Sequence, residues 1–296
     1  MKANQRKNQI AISGVRVIAA LVVIILAILL GYIFVRGLPY VNWHFLTSPA
    51  KPFQAGGGIG IQLFNSFYLL ILTLIISLPI SLGAAIYLNQ YAKDNWLTSV
   101  MRTSIEILSS LPSVVVGLFG FLLFVIQMGY GFSILSGALT LAVFNLPLLT
   151  RSVEDAIGSV DDNQLQGGLG LGLSKFETIT HIVVPAALPS IISGVILSAG
   201  RIFGEAAALI YTAGQSAPAL DFTDWNPFNS ASPLNPMRPA ETLAVHIWKI
   251  NSEGIMPDGT KVSAGSAAVL VLAILIFNLL ARYLGRKIFK KMTATD

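Results

Sequence analysis

Residues 107–150 contain no charged side chain. A membrane-spanning helix needs about 20 apolar residues, so this run is too long for one span. It breaks at Gln127-Met128-Gly129-Tyr130-Gly131, where glycines and a polar residue interrupt the pattern. Two spans joined as a hairpin are therefore expected, about 103–127 and 132–152. The composition fits: 54% of residues are hydrophobic and 11% charged, against about 25% charged in soluble domains.

Four further apolar stretches complete a polytopic all-α membrane protein of six helices, at about 13–36, 62–90, 187–213 and 263–284. The first could be taken for a signal peptide. Its uncharged part, 17–35, has full spanning length and no small-residue cleavage site, so it reads as a retained helix. A single transmembrane domain, 13–290, thus follows a short N-terminus, 1–12. A loop at 37–60 holds Pro39, Pro49, Pro52 and the triplet Gly56-Gly57-Gly58, and a second loop covers 215–261. A basic tail closes the chain at 285–296.

With an even number of spans both termini share one side. That side holds Lys2, Arg6, Lys7, Arg16, Lys93, Arg102, Arg151, Lys175, Arg282, Arg286, Lys287, Lys290 and Lys291; the other holds Arg36, Lys51, Arg238, Lys249 and Lys261. The positive-inside rule places the first side in the cytoplasm. The net charge of +5 therefore reflects orientation in lipid, not nucleic-acid binding. Cysteine is absent, which removes disulfides, thiolate ligands and cysteine nucleophiles. His44, His181 and His246 are not at metal-ligand spacing.

The segment that fits neither description lies between spans four and five. Residues 166–185, QGGLGLGLSKFETITHIVVP, are too polar to cross a bilayer and too patterned for a slack linker. A phosphate-binding loop needs glycine, lysine and serine or threonine in succession. Here Gly172-Leu173-Ser174-Lys175-Phe176 breaks that order, and no ATP or other cofactor is expected on this chain. Two short amphipathic helices suit 158–166 and 174–182. Ser174 and Glu177 would form a capping box at the second.

The same spacing resembles the cytoplasmic coupling loop of ABC importer permeases, an E-A-A triplet, a glycine, and I-x-L-P nine residues on. Here Gln166-Gly167-Gly168 takes the triplet position, Gly172 the glycine, and Ile182-Val183-Val184-Pro185 the close. Gln and Gly replace Glu and Ala. The resemblance implies a type I permease fold and a loop, 156–185, that seats in a groove of a separate ATPase subunit. Leu171, Leu173, Phe176 and Ile179 are the apolar candidates for that contact. Glu106, Pro112, Ser113 and Gly117 are similar to a pattern in phosphate importer permeases, as are residues 57–89, 200–205 and 264–280. The A-type permease of the phosphate-specific transporter is the implied identity. Its implied partners are a second, related C-type permease, two ATPase subunits carrying ATP, and an external phosphate-binding protein.

Arg201 gives a reason independent of the resemblance. It stands near the middle of span five, where an arginine is costly and needs a partner. Glu205, four residues on, shares its helical face. One reading is a self-neutralising pair that fixes packing. The other places Arg201 and Glu205 on the translocation path, where the guanidinium fork suits a tetrahedral oxyanion. A permease for molybdate or sulfate, an ion-coupled secondary carrier, and a non-transporting scaffold subunit remain as alternatives. Trp43, Trp225 and Trp248 suit an aromatic belt or loop packing, and Asn145 and Pro147 a cavity wall or ordinary helix packing. The glycine triplet suits an anion nest or a plain turn.

Overall fold

A computed structural model describes residues 2–51, 53–254 and 256–293. Pro52 and the last three residues of the basic tail lie outside it. The described elements are α-helical, in the order α1 (Lys2–Gly37), α2 (Trp43–Thr47), α3 (Gly60–Ile86), α4 (Trp96–Ser110), α5 (Ser113–Gly120), α6 (Ile134–Gly158), α7 (Asp162–Gly170), α8 (Lys175–Thr178), α9 (Val184–Phe203), α10 (Ala207–Thr212), α11 (Leu243–Glu253) and α12 (Gly259–Thr293). Five helical stretches are long and apolar enough to cross a membrane: Ala11–Tyr40, Gly60–Tyr91, Ile134–Gly158, Lys175–Phe203 and Gly259–Lys290. A bent pair raises the number to six. The end of the bundle carrying α7, α8 and the start of α9 is called proximal below, and the opposite end distal.

The bent pair occupies the place expected for span three. α4 and the helix Ser113–Gln127 meet at 100° instead of continuing. Pro112 disfavours helical backbone at Leu111 and cannot donate to the preceding turn. Leu111 is accordingly extended (ψ 137°), and Pro112 caps α5. Gly117 then lets α5 lie directly on α10, since a Cβ there would come within 2.7 Å of the Ala208 Cα. Glu106, on α4, pairs with Arg151 of α6.

Span five also differs from expectation. Helix begins earlier, at Lys175, and passes through a wide turn (Ile179–Val183) into α9. It stops at Phe203, where Gly204 and Glu205 make tapering bonds to Gly200 O and Ile202 O, both 3.2 Å. α10 restarts four residues later, at Ala207.

α3, α6 and α9 form the centre. Their distal cluster buries Leu70, Leu141, Phe144, Ala199 and Ile202 with Leu209 of α10. A proximal cluster joins Ala85, Leu149, Val153, Ile157, Val183 and Ala187, with Leu165 of α7 packed against it. α1 meets α12 closely at Gly37, where a Cβ would come within 2.6 Å of the Ala268 Cβ. The α1 side chains Val17, Leu21, Ile25 and Ile28 are all exposed.

Candidate functional site

The proximal segment is built locally. Asp161 accepts the Asn163 amide at 2.9 Å and opens α7. This first short helix spans Asp162–Gly170, displaced from the expected 158–166, because α6 runs on to Gly158. α7 ends in a left-handed turn: Gly172 has φ +85°, which L side chains rarely adopt. Its N–H bonds Leu169 O at 3.0 Å, and Leu173 N–H reaches Gly168 O at 3.2 Å. α8 follows with the expected capping box. Ser174 Oγ accepts from the Glu177 amide, and Glu177 Oε2 accepts from the Ser174 amide at 2.8 Å.

The seven residues singled out in this segment divide into two faces and a turn. Gln166, Gly167 and Phe176 face outward, with Phe176 68% exposed. Gly168, Ile182 and Pro185 face inward. A Cβ on Gly168 would strike the Thr178 side chain and lie 2.9 Å from Ile182 Cδ1. The third triplet position must therefore be very small. Gly172 makes the turn that reverses the chain. Leu171, 83% exposed, and Leu173 are displayed at its tip. Ile179 is not available for an outside contact, contrary to expectation: it is 1% exposed, because the wide turn after α8 rotates it into the bundle. The segment is also tied to the wide turn Tyr87–Tyr91 that continues α3, where Lys175 Nζ donates to Gln90 O and lies 4.8 Å over the Tyr91 ring.

Arg201 lies in the last turn of α9, not at mid-span. No ion pair joins it to Glu205 among the described residues. Pairing four residues apart needs an unbroken helix, and α9 ends between the two. Glu205 Oε1 instead accepts the Ala208 amide at 3.2 Å, satisfying a donor freed at the start of α10. The Arg201 guanidinium stacks on Phe144, 3.9 Å from the ring centroid. Its N–H groups have no hydrogen-bond acceptor among the described residues. Asn145 is buried in α6 and accepts from Ser198 of α9.

The distal end holds a network that sequence reasoning missed. Glu241, 4% exposed, accepts from Gln62 Nε2 at 2.9 Å, with His246 Nδ1 3.2 Å and Lys249 Nζ 3.8 Å from its other oxygen. His246 Nδ1 approaches that oxygen without good hydrogen-bond alignment. Burial pushes the Glu241 carboxyl up, but His246, Gln62 and Lys249 together outweigh it and hold the group below its ordinary range. Arg238, also buried, donates to Asn65 Oδ1 at 2.8 Å and Pro233 O at 3.0 Å; burial brings it down to about 10. Gln62 and Asn65 sit one turn apart on α3, and their partners are far along the chain. The one sequence signal was the presence of Arg and Glu close together in an otherwise uncharged part of 215–261.

Smaller expectations also found their places. The Gly56 amide binds the Asp258 carboxylate at 2.9 Å, so the glycine triplet engages an anion of its own chain. Trp43 and Trp225 are exposed, Trp225 edge-on to Phe222.

The sequence matches the family model of the binding-protein-dependent transport system inner membrane component over residues 77–293. The chain belongs to that family. It is thus a multi-pass ABC importer permease subunit, a transporter component and not an enzyme. The permease is 50% identical over 276 residues to the probable ABC transporter permease protein YqgI of Bacillus subtilis, covering 93% of this chain and 94% of that one. It is 29% identical to the phosphate transport system permease protein PstA of Yersinia pestis, over 86% and 80% of the two chains. Among solved structures, a bacterial alginate ABC transporter in complex with an alginate pentasaccharide-bound periplasmic protein matches with TM-score 0.63 at 16% identity, over 93% of this chain and 95% of that one. The inward-facing MetNI methionine ABC transporter matches with TM-score 0.53, also at 16%, over 79% and 94%. At such identity these two speak for the fold alone, that of the type I ABC importer permeases.

Proposed function

We propose that this permease carries inorganic phosphate inward across a bacterial plasma membrane, with its proximal end and both termini in the cytoplasm. It would work beside a related C-type permease. Two ATPase subunits would dock on the 156–185 loop, and an external phosphate-binding protein would dock on the distal loops 37–60 and 215–261. ATP binds and is hydrolysed on the ATPase partners.

The observation that carries the substrate reading is Arg201, a half-buried guanidinium at the end of α9 with no carboxylate paired to it among the described residues. Stacking on Phe144 holds the plane of the guanidinium and leaves its N–H fork for oxyanion oxygens. The likeness to a PstA permease over most of the chain supports phosphate among the oxyanions. Glu205, spent on the α10 amide, positions the helix break beside Arg201 and does not neutralise it.

Coupling follows from the two faces of the proximal segment. Leu171, Leu173 and Phe176 offer an apolar surface to a groove, with Gln166 and Gly167 beside them. Gly168, Ile182 and Pro185 lock the same segment onto α9 and the proximal core. A push on α8 therefore reaches α9 directly and α3 through Lys175, while Gly172 keeps the two short helices at a fixed angle.

The test is uptake of radiolabelled phosphate by the assembled transporter. Arg201→Ala should abolish uptake while assembly and ATPase docking persist. Normal uptake would defeat the assignment. Competition with molybdate and sulfate separates phosphate from the other oxyanions: stronger inhibition by either than by unlabelled phosphate moves the substrate to that anion.

A further inference from the structure

At the proximal end, α9 and α12 touch and then part. A Cβ on Gly285 would lie 2.7 Å from Ile192 Cδ1, so the helices are in contact there. Beside that contact a cavity of about 650 Å³ opens between them. Arg282, Arg286 and Lys290 line it from α12, at four-residue steps that place them on one face. Ile192 and Phe289 supply apolar walls. Among the described residues no carboxylate lines the cavity and none of the three cations is in an ion pair. The Ser193 hydroxyl, also in the wall, is already donated to Pro189 O at 2.9 Å. The donors the groove offers are therefore cationic.

We infer that this groove binds one anionic phospholipid, its phosphate held by Arg282, Arg286 and Lys290 and an acyl chain laid against Ile192. Depth favours a lipid over a free anion. Arg282 lies twenty residues beyond Val262, about 30 Å along the helix at 1.5 Å per residue, which matches the hydrocarbon thickness of a bilayer. Tyr283, Leu284 and Ile288, interleaved with the cations, point outward and are exposed. An apolar rim at the level of the cations belongs at the boundary between acyl chains and headgroups, where basic pockets between helices take anionic headgroups. The volume is that of a drug-sized site, larger than a tetrahedral ion requires. The site uses no residue of the phosphate path or the ATPase contact, so it stands apart from the proposed function.

The test is lipid titration of the full-length chain, purified in its assembled complex, read by native mass spectrometry. Dioleoylphosphatidylglycerol should bind saturably with at least tenfold preference over dioleoylphosphatidylcholine. R282Q/R286Q/K290Q should erase that preference without weakening the phosphatidylcholine background, and R282K/R286K/K290R should keep it. If the triple glutamine variant does not assemble, Arg286→Gln alone should reduce the preference in the same titration. Equal binding of the two lipids, or a preference that survives in the glutamine variants, overturns the proposal. Displacement of phosphatidylglycerol by millimolar inorganic phosphate also overturns it, because the groove would then be a free-anion site.

Discussion

The two ends of the bundle handle charge in opposite ways. At the distal end Arg238, Glu241 and His246 are buried and gathered around Gln62 and Asn65 of α3. At the proximal end the ion pairs Arg102–Glu154 and Arg151–Glu106 are solvent-accessible, and Leu171 and Phe176 present bare apolar side chains. A buried charge that loses its partner is costly, by about 3–5 kcal/mol. Exposed pairs are worth about 0–1 kcal/mol and can re-form with little loss. The distal end is thus built to stay as it is, fastening the 215–242 segment and α11 onto α3. The proximal end leaves its ion pairs and these apolar side chains open to solvent, which is what the proposed docking role requires.

This contrast can be broken most sharply at Phe176. Phe176→Asp places a charge in the proposed ATPase contact and should cut phosphate uptake more than tenfold while leaving thermal unfolding of the permease unchanged. Full uptake would remove the docking role. A smaller but structural effect is expected at the other end. Glu241→Ala leaves Gln62 without its acceptor and Lys249 without its counter-charge, and should lower stability by about 3 kcal/mol, seen as an earlier melting transition in detergent. ATPase co-purification should persist in the folded fraction.

Acid should act on the same residue. The Glu241 carboxyl titrates below its ordinary 4.5 in the folded chain, so its stabilisation is present above that value and is lost as pH falls through the lower folded one. Melting temperature followed downward from pH 6 should fall in the native chain and fall less in Glu241→Gln. Parallel curves would show that the network is not what acid attacks. Gly117→Ala, which forces α5 away from Ala208, should cost about 1–3 kcal/mol. The smallest effect belongs to Leu171→Ala, within about 0.5 kcal/mol as for exposed positions generally. Its effect should appear in ATPase affinity instead, measured by titrating the ATPase subunit onto the permease.

The parts legible in the sequence were those whose causes lie within a few residues. The all-helical membrane class follows from uncharged runs. The Ser174–Glu177 capping box is a short-range hydrogen-bond effect, readable from spacing alone. Long-range packing decided the rest. Arg201 and Glu205 share a face only if the helix continues, and the break at Gly204, with Glu205 turned to the Ala208 amide, separates them. Ile179 follows the apolar pattern of an exposed face, yet the turn into α9 buries it. Gln62 and Glu241 stand 179 positions apart, and no local pattern pairs an ordinary glutamine with a distant glutamate. Hydrophobic runs thus determined that the chain enters a membrane and roughly where it crosses. Where its few polar side chains meet was left to the tertiary structure, because in a low-dielectric interior a buried charge takes whatever partner the packed helices bring within reach.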